Sequence, residues 1–266
     1  MFKYLLIICL VIYLIYLFRY NNVENFSGSP KAIGVTSSGE IYGFDGIDPV
    51  GARFPGALIY VHMKKNSAWG VNAGNEIWYS ADVSNPSATN WKKLPGVLVQ
   101  LSVDDFEDKL VGVNMNDDIY IATTNIDSDP NWIKLPGAFI NVSISNNKLY
   151  GVNKDNEIFY KPDITTTKNW VKLSGLLKQI VYTETGGAKL VGVNSSGNTY
   201  YADKNLTSTP EWVDLNKQMK YVTLFKGYVM GIDLQGVIWA CDPKNKEWMK
   251  TNLPTNLNQI SLYPLG

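Results

Sequence analysis

Short runs in which apolar and polar residues alternate recur along this chain at a nearly constant spacing. Three of them are "VLVQLSV" from Val97, "AFINVSI" from Ala138 and "LNQISLY" from Leu257. Alternation with a period of two is typical of β-strands that bury one face. From Asn21 onward the chain lacks the period of amphipathic helices, so the pattern predicts an all-β fold.

A hairpin phrase, exemplified by "KLVGVNMNDDIYIA" from Lys109, is repeated six times. Two positions after its glycine stands a Thr, Asn or Asp that can accept a hydrogen bond and open a turn. Three positions later stands a Gly, Asn or Asp, the residue types that tolerate the positive φ of a bulged turn. The glycine of the phrase is found, at nearly even intervals, at Gly34, Gly70, Gly112, Gly151, Gly192 and Gly231.

The rest of each copy adds two strands to the hairpin. A Pro- and Asn-rich connection follows it, then a short strand opened by tryptophan, as in "WKKLPG" at Trp91, then the alternating strand. Four short strands per copy of about 40 residues, six times over, predict a six-bladed β-propeller. The first copy lacks the alternating strand and the chain ends with it, from Leu257 to Pro264. We therefore expect one blade to be completed by the N- and C-terminal strands, which closes the ring.

The N-terminal segment has a different pattern. Tyr4 to Phe18, with Leu10 near the middle, is an unbroken run without a strongly polar side chain. As a helix this run would cover only roughly 22 Å of the roughly 30 Å hydrocarbon core of a bilayer. Counting Phe2 to Tyr20 repairs most of the deficit, because Lys3 and Arg19 can extend to the interface. The sequence therefore predicts a single transmembrane anchor at 1–20, a polar stalk at 21–30 and the propeller at 31–266. A cleaved secretory signal is the alternative, although the small-residue cleavage pattern is poor.

Charge and composition argue against several classes of function. The 24 basic residues equal the 24 acidic ones, so no net field attracts nucleic acid. The propeller contains one arginine, Arg53, which excludes a sialidase-like site built on three arginines. The lone histidine, His62, lies in an alternating run without the flanking residues of a Ser-His-Asp site.

A metal site is not expected either. His62 and Cys241 lack further ligands at the spacing of a zinc site. The acidic run "VDDFEDK", which includes Asp104 and Asp105, lacks the glycine and the spacing of a calcium loop and is typical of a solvated hairpin connection. We therefore expect a protein that binds without catalysis and without a cofactor.

Two sets of repeated residues are candidates for glycan binding. Aromatic rings stack on sugar rings, and the tryptophan recurs once per blade, but packing between blades requires such residues as well. The turn asparagines could bind hydroxyl groups, although turn geometry alone explains them. A glycan site would combine polar groups of two neighbouring hairpins with one aromatic edge. The candidates are Trp91, Trp132, Trp170, Trp212, Asn72, Asn114, Asn153 and Asn194.

The combination of "WxKLPG", an alternating strand and "GVNxxxxIYY" resembles the tectonin repeat of tectonins and tachylectins, from about Lys31 to Gly266. The resemblance implies a non-enzymatic propeller that binds glycans or lipopolysaccharide through several similar sites. The first copy lacks its tryptophan, and Thr36 and Asp233 replace the usual asparagine.

The N-terminal region resembles a second class of protein. Its short apolar run followed by "ENFSGSP" is similar to membrane-anchored virion proteins of large DNA viruses. That resemblance implies a structural or protein-docking component of a virus particle, located in the virion membrane or at its surface, whose partners are other virion or membrane proteins.

Overall fold

The computed structural model describes residues 31–44, 51–85, 89–164, 169–253 and 256–263. The predicted anchor, with Tyr4, Leu10 and Phe18, and the stalk at 21–30 lie outside these residues and stay predictions. The described part of the chain contains strands, turns and bends but no helix. No helix that could span a membrane was found in it.

The strands form six antiparallel sheets of four strands each, which are the blades of a six-bladed propeller. The first strand of each blade lies beside the first strands of the two neighbouring blades, and these six inner strands form a closed ring. The predicted number and order of strands are therefore confirmed. The blades, each written from its inner strand outward, are the following.

Blade 1 contains β24 (Leu257–Tyr263), β1 (Lys31–Thr36), β2 (Ile41–Phe44) and β3 (Ala52–Phe54). Blade 2 contains β4 (Tyr60–Lys64), β5 (Ser67–Val71), β6 (Glu76–Ser80) and β7 (Lys92–Val97). Blade 3 contains β8 (Gln100–Val103), β9 (Leu110–Val113), β10 (Asp118–Ala122) and β11 (Ile133–Ala138). Blade 4 contains β12 (Asn141–Ser145), β13 (Lys148–Val152), β14 (Glu157–Lys161) and β15 (Val171–Leu176). Blade 5 contains β16 (Gln179–Thr183), β17 (Lys189–Val193), β18 (Asn198–Ala202) and β19 (Val213–Gln218). Blade 6 contains β20 (Tyr221–Phe225), β21 (Tyr228–Ile232), β22 (Ile238–Asp242) and β23 (Glu247–Lys250).

The two ends of the described chain meet in blade 1. β24 pairs antiparallel with β1, so that Gly34 lies opposite Ile260 and Lys31 lies opposite Tyr263. The predicted closure of the ring by the N- and C-terminal strands is confirmed. This pairing provides backbone partners for two strands that would otherwise be edges.

The disc has two distinguishable faces, because successive turns of an antiparallel sheet lie at opposite ends of the strands. We call the face with the turns between second and third strands the hairpin face, and the opposite face, where β1 begins beside Tyr263, the entry face. On the hairpin face the turn also bonds to the link between blades, as in Leu98 N to Asn75 O at 3.0 Å. The predicted positive φ is found in all six turns, at Gly39, Asn75, Asp117, Asn156, Gly197 and Gly236.

The repeated glycine makes room for a large apolar side chain. A Cβ built on Gly112 would lie 2.4 Å from Leu98 Cδ1 and 2.7 Å from the carbonyl oxygen of Gln100. The other five copies show the same relationship with the equivalent apolar residue of the link. The five pairs are Gly34 with Leu257, Gly70 with Leu58, Gly151 with Phe139, Gly192 with Leu177 and Gly231 with Met219.

The hydrophobic core is divided among the six junctions between blades. At the junction of blades 1 and 2, for example, Ile33 and Val35 pack with Val61 and Met63, and all four are 2% exposed or less. Each junction has such a cluster. Burial of one such side chain contributes about 1.5–3 kcal/mol, so the ring is stabilised mainly by contacts between blades.

Polar side chains of the inner strands add hydrogen bonds across the junctions. The amide of Gln100 bonds to both the N–H and the carbonyl of Val142 in the next blade. Gln179 and Gln259 make the same pair of bonds to Val222 and Val61. At every second junction, the two neighbouring blades are thus joined through one glutamine.

Candidate functional site

The candidate tryptophans lie at the junctions between blades and are partly buried. The indole Nε1 of Trp132 donates to Pro95 O at 2.8 Å, and Trp170 and Trp212 make the equivalent bond to Pro136 and Ser174. The ring of each rests against a positive-φ glycine of the preceding blade, such as Gly96 under Trp132. Trp91 Nε1 is buried without a hydrogen-bond partner among the described residues. Three of the four indole N–H groups are therefore engaged within the fold.

The candidate asparagines form the hairpin turns. Asn72 Oδ1 accepts from the backbone N–H of Gly74 and Glu76, at 3.0 and 2.9 Å, and its Nδ2 donates to Glu76 Oε2. Asn114 and Asn153 make the same three kinds of bond, and Asn194 accepts from the N–H of Asn198. The turn interpretation accounts for these residues, while glycan binding by them or by the tryptophans stays a prediction.

A depression on the hairpin face matches the predicted form of a glycan site more closely. It lies between the hairpins of blades 6 and 1, has a volume of about 600 Å³, and is called here the junction cleft. Tyr42 supplies the aromatic group, and its side chain is partly exposed. The polar groups come from Ser37, Ser38 and Glu40 of the blade 1 hairpin, from Asn258 of the inner strand of blade 1, from Lys220 and Gln235 of blade 6, and from Asn256 of the link between the two blades.

Hydrogen bonds within the junction cleft place its polar groups in a fixed arrangement. The hydroxyl groups of Thr36 and Ser38 lie 2.8 Å apart, and Ser38 Oγ donates to Glu40 Oε2 at 3.4 Å. Across the cleft, Lys220 Nζ donates to Asn258 Oδ1 at 2.8 Å. Both walls of the cleft are therefore ordered before any ligand arrives.

The charges of the junction cleft are partly balanced. Arg53 pairs with Glu40 at 3.1 Å. Partial burial lowers the pKa of Lys220, while the carboxylate of Asp233 acts in the opposite direction. Glu40 is the one carboxylate among the described residues that line the cleft. The site thus offers hydroxyl, amide and ammonium groups around a single, already paired, carboxylate.

Polar residues at one repeated position line this junction. The residue that leads into the buried part of the inner strand is apolar in blades 2, 3 and 4, as Ile59, Val99 and Ile140, and polar in blades 5, 6 and 1, as Lys178, Lys220 and Asn258. Lys220 and Asn258 line the cleft. The hairpins that border the cleft are also the two that start with Thr36 and Asp233 in place of asparagine. Those departures from the repeat were the sequence signal for this site, although its depth could not be deduced from them.

The entry face carries a larger depression of about 1470 Å³. Its lining includes Lys65, Lys189, Lys226 and Lys244, the carboxylates of Asp203 and Asp242, and the rings of Tyr201, Tyr228 and Tyr263. Burial lowers the pKa of Lys189, Asp203 opposes that shift and Lys244 adds to it. This depression could not be predicted from the sequence, because its residues come from blades 1, 2, 5 and 6.

Burial affects the titratable residues near the axis of the propeller, so their environment differs from that of a solvated hairpin. Asp104 is fully buried, and its carboxylate accepts from the backbone N–H groups of Asn146 and Asn147 in the next blade. The interpretation of the acidic run as solvated is therefore wrong for Asp104. Burial, together with the charge of Asp104, raises the pKa of Asp105 to about 6. Burial and the charge of Lys64 lower the pKa of His62 to about 4.

Potential metal ligands are scattered over the blades. In the part of the chain that the structure describes, no group of three or more His, Cys, Asp or Glu side chains is placed to hold a metal ion. Cys241 is buried as a free thiol.

The family of this protein follows from comparison with known proteins. The tectonin domain family model matches residues 23–209, which is well over half of the chain. The chain belongs to the tectonin domain family. Comparison of this tectonin propeller with the curated proteins found no match.

Two solved structures share the fold of the tectonin propeller. One is Prp20p from Saccharomyces cerevisiae, described with its binding properties to Gsp1p and histones; it has a TM-score of 0.54 and 9% identity, over 87% of this chain and 76% of that one. The other is yeast RCC1 (Prp20) bound to Kap60, with a TM-score of 0.56 and 9% identity, over 87% and 74% of the two chains. At this identity the similarity shows the fold alone.

Proposed function

We propose that this tectonin propeller is a lectin-type module that binds saccharides without catalysis, and that the junction cleft is its binding site. The observation that carries the proposal is the arrangement of the cleft: polar groups of two neighbouring hairpins face one another beside the ring of Tyr42. A volume of about 600 Å³ accommodates a small oligosaccharide.

The chemistry of the junction cleft suits a sugar. Saccharides present hydroxyl groups that both donate and accept, and one apolar ring face. Ser38 can donate or accept, Asn258 supplies an amide, and Glu40 accepts. Tyr42 offers an aromatic face for stacking. Because these groups are already ordered by hydrogen bonds to one another, binding requires little further loss of side-chain entropy.

The same residues do not favour hydrolysis of a glycoside. That reaction generally uses two carboxyl groups on either side of the bond that is cleaved. Among the described lining residues the cleft has only Glu40, which pairs with Arg53. A shallow site of this kind is expected to bind weakly, so strong attachment to a glycan-coated or lipopolysaccharide surface would require several copies of the protein.

The experiment is a binding measurement with the full chain in detergent micelles, by saturation-transfer NMR, against neutral saccharides and a delipidated lipopolysaccharide core. Ser38→Ala and Asn258→Ala should each weaken binding several-fold, because each removes a polar partner of the ligand. Ser196→Ala is the matched control, since Ser196 holds the same turn position in "NSSG" of blade 5 that Ser38 holds in "TSSG" of blade 1. Absence of binding to every saccharide, or an equal loss in Ser196→Ala, would contradict the proposal.

A second candidate function is protein docking, as in a component of a virus particle, and one observation favours it. Large apolar side chains are exposed on the hairpin face outside the junction cleft, among them Val97, Met115 and Leu176, which are 60%, 75% and 61% exposed. A propeller in a soluble or membrane-bound assembly can use such a surface for a protein partner. We expect the chain to be present in stoichiometric amounts in purified virus particles. The combination of Met115→Gln with Leu176→Gln should remove it from them. Its absence from particles would exclude that role.

A further inference from the structure

Three lysines on the entry face lie around the mouth of the large depression. Lys65 and Lys226 occupy the turns that follow the inner strands of blades 2 and 6, and Lys244 follows the third strand of blade 6. All three side chains are exposed and line the depression of about 1470 Å³. We call Lys65, Lys226 and Lys244 the lysine patch.

Several acidic groups of the entry face are already paired elsewhere. Asp108 pairs with Lys64 at 3.2 Å, Glu107 with Lys109 at 2.6 Å, and Glu184 with Lys148. The first pair joins blades 2 and 3, the second lies within blade 3, and the third joins blades 4 and 5. In contrast, no salt bridge joins the lysine patch to any described residue.

Two carboxylates lie within the depression itself, but they do not cancel the positive charge of the lysine patch. Asp203 is close to Lys189 and accepts from Tyr201 Oη at 3.5 Å. Asp242 accepts from the backbone N–H of Lys244 at 3.0 Å and so shapes that turn. With Asp203 balanced by Lys189, Asp242 is the remaining carboxylate among the described residues of the depression. Asp105 lines the adjoining cavity with Lys226. These two carboxylates stand against three exposed ammonium groups, and this side of the face carries a net positive charge.

The chain enters the propeller at the same place. Lys31, the first described residue, is paired with Tyr263, and Tyr263 lines the depression. Residues 1–30 therefore join the disc at the entry face, and they contain the predicted anchor over 1–20. The predicted stalk at 21–30 reaches at most about 36 Å when fully extended. An anchor in a bilayer would thus hold the lysine patch within a few tens of ångströms of the lipid surface.

We infer that the entry face docks on the surface of the membrane that the N-terminal segment spans, with the lysine patch bound to the head groups of anionic phospholipids. The inference depends on the predicted anchor and is independent of saccharide binding at the junction cleft. The lysine ammonium groups would pair with phosphate and carboxylate groups, and the attraction would fall off within a Debye length of about 10 Å at 0.1 M salt. Each lysine is expected to favour the docked disc about fivefold, and two about thirtyfold.

The test measures which face of the disc approaches the lipid. The full chain with Cys9→Ser is labelled with a fluorophore at Thr185→Cys on the entry face or at Ser196→Cys on the hairpin face. Both positions are exposed and belong to blade 5, at the two ends of β17, whose length is about 17 Å. Energy transfer to acceptor lipids is compared in vesicles of phosphatidylcholine alone and of phosphatidylcholine with roughly 30% phosphatidylserine, which gives the surface a negative potential.

We expect stronger energy transfer to the lipids from the label at Thr185→Cys than from the label at Ser196→Cys. Phosphatidylserine should increase the transfer from Thr185→Cys, and about 1 M salt, where the Debye length is about 3 Å, should reduce it. Lys65→Glu with Lys226→Glu should remove the effect of phosphatidylserine. Lys154→Glu with Lys178→Glu, on the hairpin face, is the matched control and should leave it unchanged. Equal transfer in the two vesicles, stronger transfer from Ser196→Cys, or failure of the full chain to enter vesicles would each overturn the inference.

Discussion

The side-chain amide of Gln259 makes two hydrogen bonds with the backbone of Val61, near the opposite end of the sequence. Oε1 accepts from Val61 N at 3.0 Å, and Nε2 donates to Val61 O at 2.6 Å. Both partners are buried, and the bonds join the C-terminal strand to the inner strand of blade 2. The amide therefore supplies hydrogen-bond partners to the edge of β4 that has no neighbouring strand in its own sheet.

Replacement of this amide should destabilise the ring. Gln259→Leu leaves the N–H and the carbonyl of Val61 buried without partners, which costs about 1–3 kcal/mol for each group. We expect a decrease of roughly 2–5 kcal/mol in the free energy of unfolding, measured by urea denaturation. Gln218→Leu is the control, because Gln218 is exposed and its bonds, at 3.3 and 3.4 Å, are long. Equal effects of the two substitutions would show that the bonds to Val61 do not stabilise the fold.

The repeated glycine should tolerate a methyl group only where the neighbour can move. In Gly112→Ala the new Cβ meets the backbone oxygen of Gln100 at 2.7 Å, whereas in Gly231→Ala the close contacts are all with the flexible side chain of Met219. We expect Gly112→Ala to cost about 1–3 kcal/mol and Gly231→Ala clearly less. Thermal unfolding of both variants, with Gly231→Ala also combined with Met219→Ala, tests this. A larger cost for Gly231→Ala would refute the steric explanation.

The indole N–H groups should contribute to stability and not to saccharide binding. Trp132→Phe removes the bond from Nε1 to Pro95 O but keeps an aromatic ring against Gly96. The expected loss is about 1 kcal/mol in the free energy of unfolding. Saccharide affinity of the full chain should be unchanged, since the junction cleft lies between other blades. A selective loss of affinity with normal stability would instead support the tryptophan as a binding residue.

The carboxyl group of Asp105 should make stability depend on pH. Its pKa is about 6 in the folded protein, because of burial and the charge of Asp104, against about 3.9 when unfolded. Between these values the folded state binds more protons, so this group lowers stability as pH rises from about 4 to about 6 and keeps it lower above. His62 has the opposite effect, because its folded pKa of about 4 favours the unfolded, protonated form in acid.

Removal of the Asp105 charge should therefore stabilise the protein at neutral pH. We expect Asp105→Asn to raise the free energy of unfolding by roughly 1 kcal/mol at pH 7.5, less than the full pKa shift implies because the side chain keeps some contact with solvent. At pH 3.5 the variant and the parent should be nearly alike, since the carboxyl is then largely protonated in both states. Urea denaturation at the two pH values measures the difference. A pH-independent difference would contradict the assignment.

The repeat was predictable because each copy carries local signals. The turn residues, such as Asn75 and Gly197, have side chains or conformational freedom that the hairpin requires at that position. The pairing of β24 with β1 also followed from the sequence, because the strand missing from the first copy reappears at the end of the chain. Such features depend on neighbouring residues or on simple counting, and both are visible without a structure.

The reason for the repeated glycine was not visible in the same way. Gly112 is small because Leu98, which precedes the inner strand of its own blade, packs over it. Asp104 was interpreted as solvated, since its acidic neighbours suggested a surface loop. Its actual partners, the amides of Asn146 and Asn147, lie in the next blade, and contacts between repeats are not encoded in the pattern of one repeat.

The sites are the least predictable part for the same physical reason. The junction cleft combines Lys220 and Asn258 with residues of two hairpins, and the lysine patch combines side chains of distant turns. Their separations in sequence are large, so no spacing rule identifies them. The sequence did predict a form for a glycan site, with polar groups of two hairpins beside one aromatic ring, and the use of the junction cleft as such a site stays a proposal.

The pairing of β24 with β1 has a temporal implication. One part of the junction cleft comes from residues near Ser38, and another includes Asn258, which is synthesised after every strand of the other five blades. A nascent or C-terminally shortened chain can contain five finished sheets and still lack this pocket. The junction cleft is therefore complete only after β24 has been synthesised and inserted beside β1.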